Sequence, residues 1–373
     1  MITHHRLLVT ALILAAGIGA PAPSGTWSKA ASLNVPRQYP GLARLPDGRI
    51  LAVTGHPLQG QSLASAEIYD PKSDQWTPTG SLNLPRNGVE PGGLIVLPGG
   101  KILIAGGGTG ARSAREAELF NPTTQTWSLT GSMYEARSNH STMLLADGRV
   151  FVAGGIDWST DTVLTSAEVY DPATEGWTLV GPMTTKRTNL RTVRLTDGRV
   201  LVSGGASVSD VAGELADAEI FDPATGRFTA TNPMNEARRA FRMILLRDGR
   251  VLAIGGARGG PSTPDAQLDS TEIFDPSSET WNVTGSLIEG RWGPEANLLS
   301  DGRVLVTGGM YGRVGRRKSA EIFDPASGTW TSAGSLQQAR NGHRSIALDD
   351  GRILIVGGFS GTIELTSCEV YKE

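Results

Sequence analysis

Guanidinium groups are the chemistry this sequence offers in greatest number. Arginine outnumbers lysine 28 to 6, and seven arginines recur at a near-constant interval: Arg37, Arg86, Arg137, Arg187, Arg238, Arg291 and Arg340. A planar guanidinium grips a carboxylate or sulfate with two parallel hydrogen bonds, which an ammonium cannot do. Four residues beyond the last four of these arginines stand Arg191, Arg242, Glu295 and Arg344, where two earlier copies carry Gly41 and Ser141. Such a set either neutralises itself through Glu295 or coordinates a polar ligand. Trp292 follows Arg291 directly, and Tyr311, Arg313, Arg316, Arg317 and Lys318 come later in the same unit. An aromatic ring beside charged donors suits stacking on a sugar and equally suits a peptide hot spot. Asp157, Trp158, Asp161 and His56 complete the candidates.

Each of these has a plainer reading as frame. A glutamate recurs seven times, at Glu67, Glu118, Glu168, Glu219, Glu272, Glu321 and Glu369. One such residue resembles a catalytic acid; seven copies read as structural ion-pair partners, with the basic residue of a nearby hairpin as the expected mate. His140 and His343 each stand three residues after a repeated arginine. Cys368 replaces a small residue of the repeat and reads as an inert buried thiol. With a single cysteine, neither an intramolecular disulfide nor a cysteine-based metal site is expected, and no cofactor is implied. Catalysis would need an acid/base pair, for which Glu295 and His56 are available, but no spacing selects them.

Strands and turns must carry these groups. From Arg37 to Arg340 is 303 residues in six steps, a period of about 50. Each unit holds Asp-Gly-Arg or its variant (Asp147-Gly148-Arg149, Gly99-Gly100-Lys101), an apolar run, a Gly pair such as Gly154-Gly155, an Ala-Glu block ending in Asp-Pro, and an aromatic such as Trp177. Asp-Gly between apolar runs predicts a tight hairpin with a type I′ turn. The flanking strands are apolar on both faces and hence buried, Asp-Pro opens the next turn, and the aromatic packs against a neighbouring sheet. The Asp-Gly and Asp-Pro turns then share one face. The loops after the Gly pairs and those bearing the repeated arginines share the other, where length and content vary and binding residues are expected.

Composition narrows the class further. Gly 48 and Pro 21 in 373 residues argue against a helical protein, and a net charge of -3 argues against a nucleic-acid or anionic-membrane partner. His4, His5 and Arg6 precede the apolar run Leu7 to Ala20, so residues 1–22 read as a signal peptide and 23–373 as one domain, secreted or periplasmic and monomeric. No other segment is apolar enough to insert in a membrane.

The Gly pair, the Tyr or Phe of the Ala-Glu block and the Trp, at this spacing over residues 25 to 373, resemble the kelch motif. The resemblance implies an all-β, seven-bladed β-propeller of four-stranded antiparallel blades. The last unit lacks its outer strand, so the strand around Trp27 is expected to complete it. In kelch proteins that capture peptides, arginines of this kind often line the pocket, which implies ligand contacts for the repeated set. The copper-radical oxidases, such as galactose oxidase, share this propeller. Their site needs a Tyr–Cys cross-link, a second Tyr and two His, whereas here only His56, His140 and His343 follow the N-terminal segment and Cys368 lies in the repeat. The Asp-box of sialidase propellers has five residues from Asp to Trp, against six from Asp324 to Trp330. The function expected is a binding module for a protein segment or glycan with acidic groups, contacted by the seven arginines with Arg191, Arg242, Trp292, Glu295, Tyr311 and Arg344. The alternative is an epimerase or lyase acting on acidic sugars at the same face.

Overall fold

A computed structural model describes residues 25–56, 61–87, 93–110, 112–209, 213–259, 267–312 and 314–373. The proposed signal peptide and Arg313 lie outside the described residues. Seven four-stranded antiparallel sheets form a ring. In the third, the strands run in chain order from the channel outward: Ser141–Leu144, Val150–Ala153, Ala167–Asp171 and Gly176–Leu179. The innermost strands of successive sheets touch in chain order, and the seventh meets the first. The second strand of every blade is wholly buried, as in Val150–Ala153, because neighbouring blades cover both its faces.

The ring closes as expected. Thr26–Ala30 pairs with Cys368–Lys372 as the outer strand of the last blade, in the register Thr26 with Lys372 to Ala30 with Cys368. The Trp27 ring lies 5.0 Å from Tyr371, and its Nε1 donates to the carbonyl of Ala333 on the sixth blade, 2.8 Å away. Trp76, Trp177 and Trp330 do the same in their blades. Trp177 packs on Tyr170 at 5.1 Å and donates to the Gly131 carbonyl of the preceding blade at 2.7 Å.

Two expectations need correction. The Asp-Gly hairpin is not type I′. Leu145 N–H donates to the Arg149 carbonyl and Gly148 N–H to that of Leu145, which encloses three residues, and only the glycine is left-handed, with φ 88° at Gly148. This is a type I turn closed by a glycine bulge. Its aspartate stays right-handed because the carboxylate folds back onto the Arg149 amide and Nε, at 3.0 and 2.8 Å. That contact uses up the hairpin arginine, so the repeated glutamate finds another mate. Glu168 accepts from Arg137 Nη2 at 2.7 Å and from the amides of Tyr134 and Glu135 at 2.8 and 3.2 Å.

The repeated arginine is thus the centre of each unit. Arg137 also donates through Nη1 to the carbonyls of Gly154 and Ser166, at 2.7 and 3.2 Å. The Gly pair accommodates this crowding. A Cβ on Gly154 would stand 2.5 Å from the Arg187 carbonyl, and both glycines have positive φ. The Gly155 amide donates to that same carbonyl at 2.8 Å, linking one blade to the next, and Gly358 repeats the link to Arg37 across the closure.

Removing residues 25–34 should lower the melting temperature of the whole ring in one cooperative step, because it strips an outer strand and the Trp27 contact together; an unchanged melting curve would refute closure by this strand. Glu168→Ala removes the buried carboxylate from Arg137, leaving only the half-exposed Glu135 at 3.7 Å, and should cost about 3–5 kcal/mol in urea unfolding, whereas Arg149→Ala, which removes an exposed pair, should cost under about 1 kcal/mol.

Candidate functional site

The loop that carries each repeated arginine runs on into the mouth of the channel. The residue after the arginine forms a bridge with the residue after the Gly pair: Gln38 with His56, Asn87 with Gly108, Ser138 with Ile156, Arg239 with Ala257, Trp292 with Met310 and Asn341 with Phe359. The next residue is left-handed, with φ near 50–60° at Tyr39, Asn139, Asn189, Ala240, Gly293 and Gly342. These turns join around the rim. Tyr39 N–H donates to Gly342 O at 2.6 Å, Asn189 N–H to Asn139 O at 2.9 Å and Gly293 N–H to Ala240 O at 2.8 Å. Two residues later the inner strand begins, at Gly41, Ser141, Arg191, Arg242, Glu295 and Arg344 in six of the blades.

A cavity of about 380 Å³ opens here, on the face bearing the variable loops. Its lining includes four guanidiniums, those of Arg191, Arg239, Arg242 and Arg344, and no carboxylate among the described residues. Arg242 Nη2 and Arg344 Nη1, the latter at 3.1 Å, meet the same oxygen, Oε1 of Glu295. Arg191 donates from Nε to the Phe241 carbonyl and from Nη1 to its neighbour Leu190, both at 2.8 Å. Arg239 pairs with Glu214 at 3.2 Å and sits 5.7 Å from the centre of the Trp292 ring. Across the mouth Trp158 is 43 % exposed, and the Tyr39 ring lies 5.4 Å from the Arg344 guanidinium and 5.7 Å from His56. The amides of Asn87, Asn139, Asn189 and Asn341 complete the wall.

The seven repeated arginines do not belong to this site. Arg37, Arg86, Arg137, Arg187, Arg238, Arg291 and Arg340 are 0 % exposed, each paired with the glutamate of its own blade. A guanidinium with no exposed surface, its Nη groups engaged by carbonyls and a carboxylate inside the blade, offers nothing to a ligand. Of the other sequence candidates, Arg191, Arg242, Trp292 and Arg344 line the cavity together with His56 and Trp158. Glu295 lies buried behind the lining on its two arginines, so it is held by them rather than placed for proton exchange. Tyr311 stands outside the cavity on a short hairpin, under the Arg317 guanidinium at 4.5 Å. Tyr39, Arg239 and the four asparagines were missed. Their signal was the pair of positions after each repeated arginine, which varies from blade to blade while the arginine does not.

His140 and His343 are core residues. His343 Nε2 lies 2.9 Å from Thr307 Oγ1, and burial, helped by the Arg340 and Arg242 charges, holds its imidazole well below the usual histidine range. Burial pushes the Cys368 thiol up to about 12.

The kelch motif model matches residues 47–83, 94–134, 137–184 and 298–337. Human Kelch-like protein 34 is 39% identical over 108 residues, which are 28% of this chain and 16% of that protein. An F-box/kelch-repeat protein of Arabidopsis thaliana is 38% identical over 82 residues, 22% of this chain and 20% of that protein. The matched stretches thus span a fifth or less of these relatives' own length. Among solved structures, a fungal alcohol oxidase of the AA5 family in complex with copper superposes with a TM-score of 0.73 at 17% identity, over 93% of this chain and 76% of that one. The protein YjhT superposes with a TM-score of 0.62 at 14% identity, over 81% of this chain and 99% of that one. At these identities the likeness is one of fold. The residues here do not fit the copper of the first: Cys368 is locked in a core strand, and no group of three His, Cys, Asp or Glu that could hold a metal occurs among the described residues. The chain is thus a seven-bladed β-propeller that carries matched kelch motifs, and its remaining blades repeat the same arginine–glutamate pair and Gly pair.

Proposed function

We propose that the protein is an exported binding module whose mouth captures a segment of a partner protein through an acidic side chain. Kelch propellers typically serve protein interaction. The observation that carries the acidic preference is the lining, with four guanidiniums set between the aromatic walls of Trp158, Trp292 and Tyr39. Charge-assisted hydrogen bonds from arginine are about twice as strong as neutral ones, and the cavity walls raise that strength by excluding water. Tryptophan, tyrosine and arginine are also the residues that dominate protein interfaces. The apolar run Leu7–Ala20 supports export, which an intact mass beginning near residue 23 in the exported protein would verify.

Backbone strain at the mouth supports a role for Tyr39. The equivalent position is asparagine or glycine in four described blades, residues that tolerate the left-handed region, whereas Tyr39 occupies it with φ 53°. The other described residue there that is neither asparagine nor glycine, Ala240, presents only a methyl group, whereas the Tyr39 ring faces the Arg344 guanidinium at the lining.

Calorimetric titration with blocked Gly-Glu-Gly, its Gln counterpart and glucuronate tests the reading. The Glu peptide should bind, weaken with added salt, and exceed the Gln peptide about tenfold. Arg239→Gln and Trp292→Ala should each reduce its affinity by about that factor. Equal affinity for the two peptides would overturn the reading, and a preference for glucuronate would reassign the mouth to acidic glycans. Tyr39→Asn should raise unfolding stability by about 1 kcal/mol while weakening the Glu peptide; a loss of stability with unchanged binding would show that the tyrosine serves the frame.

A further inference from the structure

The mouth continues outward over one side of its rim. Trp292 and Met310, both in the cavity lining, are bridged to each other, and Met310 begins the hairpin Met310–Tyr311 with Gly315–Arg316. On this hairpin Tyr311 is 47 % exposed and Val314 84 % exposed. The loop of the seventh blade lies against it: the Arg316 guanidinium stands 5.2 Å from the Phe359 ring centre, and a Cβ on Gly361 would be 3.7 Å from the Val314 carbonyl. That loop presents Ile363, 54 % exposed. Three large apolar side chains therefore stand on two touching loops. Elsewhere on the variable-loop face, exposed large apolar residues among the described residues occur singly, as Trp158 on the third blade and Val208 on the fourth. Beside the patch runs the basic sequence Arg316-Arg317-Lys318, with Glu289 on Arg317 at 3.0 Å.

We propose that this rim of blades six and seven is the outer half of the docking surface, on which a bound polypeptide lays the apolar residues that flank its acidic one. The inference rests on the reading that the mouth takes an acidic side chain, and it commits that ligand to being a polypeptide. A sugar acid small enough for the cavity would end at Trp292. A chain that continues past Trp292 meets apolar side chains edged by cations, the pattern of an interface with an apolar centre and a polar border. The basic edge selects a segment that is acidic beyond the anchoring residue, because like charges along it would be repelled.

A displayed library of random linear peptides, panned on the full folded protein, tests this. The expected winners carry Asp or Glu next to aliphatic or aromatic residues. A synthesised winner is then titrated into the wild type, the mouth variant Arg239→Gln and the rim variant Val314→Asp/Ile363→Asp. Because both rim side chains point to solvent, the rim variant should melt as the wild type does, and it should bind at least tenfold more weakly. Loss in both variants supports the proposal. Loss in the mouth variant alone overturns it and leaves the mouth reading standing; loss in the rim variant alone keeps the rim and removes the mouth. Failure to enrich any peptide overturns both.

Discussion

Seven buried guanidiniums, each held by a glutamate of its own blade, are the constraint on which the remaining structure depends. Moving a charge of this size out of water costs several kcal/mol, and the carboxylate alone does not recover it. The recovery comes from geometry. In the third blade Nη1 of Arg137 is shared by two carbonyls, and Nη2 reaches Ser166 Oγ and Glu168. The glutamate is satisfied in turn by two backbone amides of the incoming loop. The result is a clamp that ties the connection between blades to the third strand of the blade it enters. Without it, that connection would bury amides and carbonyls with no partners, which folded proteins avoid.

The clamp also explains where binding can evolve in such a frame. Because the arginine pins the loop, the two residues that follow it are positioned whatever their identity. Those residues, Gln38-Tyr39, Ser138-Asn139, Thr188-Asn189, Arg239-Ala240, Trp292-Gly293 and Asn341-Gly342, differ in nearly every blade. Their backbone is constant, a bridge followed by a left-handed turn, and only the side chains presented to the mouth change. The inner strands then break the symmetry a second time. Small residues, Gly41 and Ser141, start them in the first and third blades, and charged ones, Arg191, Arg242, Glu295 and Arg344, in the fourth to seventh. A charged wall thus faces a side with room, which is how a pseudo-symmetric ring acquires an oriented cavity.

Much of the frame was legible because repetition shows it directly. The strand count, the closing strand around Trp27 and the structural nature of the glutamates all follow from a period and an unfilled position. The partner of those glutamates did not follow. Arg137 and Glu168 are 31 residues apart, and the hairpin arginine looked nearer until its own aspartate was seen to occupy it. The turn type failed for a related reason, since Asp-Gly occurs in both two- and three-residue hairpins and the pairing of Leu145 with Arg149 decides between them. At the mouth, Arg239 and Tyr39 occur once, so the period that exposes the sevenfold arginine does not reveal them.

This contrast between repeated and unique residues has a physical basis in any pseudo-symmetric ring. A side chain can be invariant across blades only if its surroundings are invariant, and in a propeller those surroundings are the buried core and the uniform hairpins of the frame. A ligand bound on the ring axis would be a single asymmetric object, so the groups that recognised it would differ from blade to blade. Repetition therefore marks the frame, and departure from it at a fixed position marks residues the frame does not require. Arg191, Arg239, Arg242, Trp292 and Arg344 satisfy both conditions, standing at positions fixed by the frame with identities the frame does not require. Tyr39 satisfies them with a further cost, a left-handed backbone that asparagine or glycine would adopt more readily, and it turns an aromatic ring toward the Arg344 guanidinium.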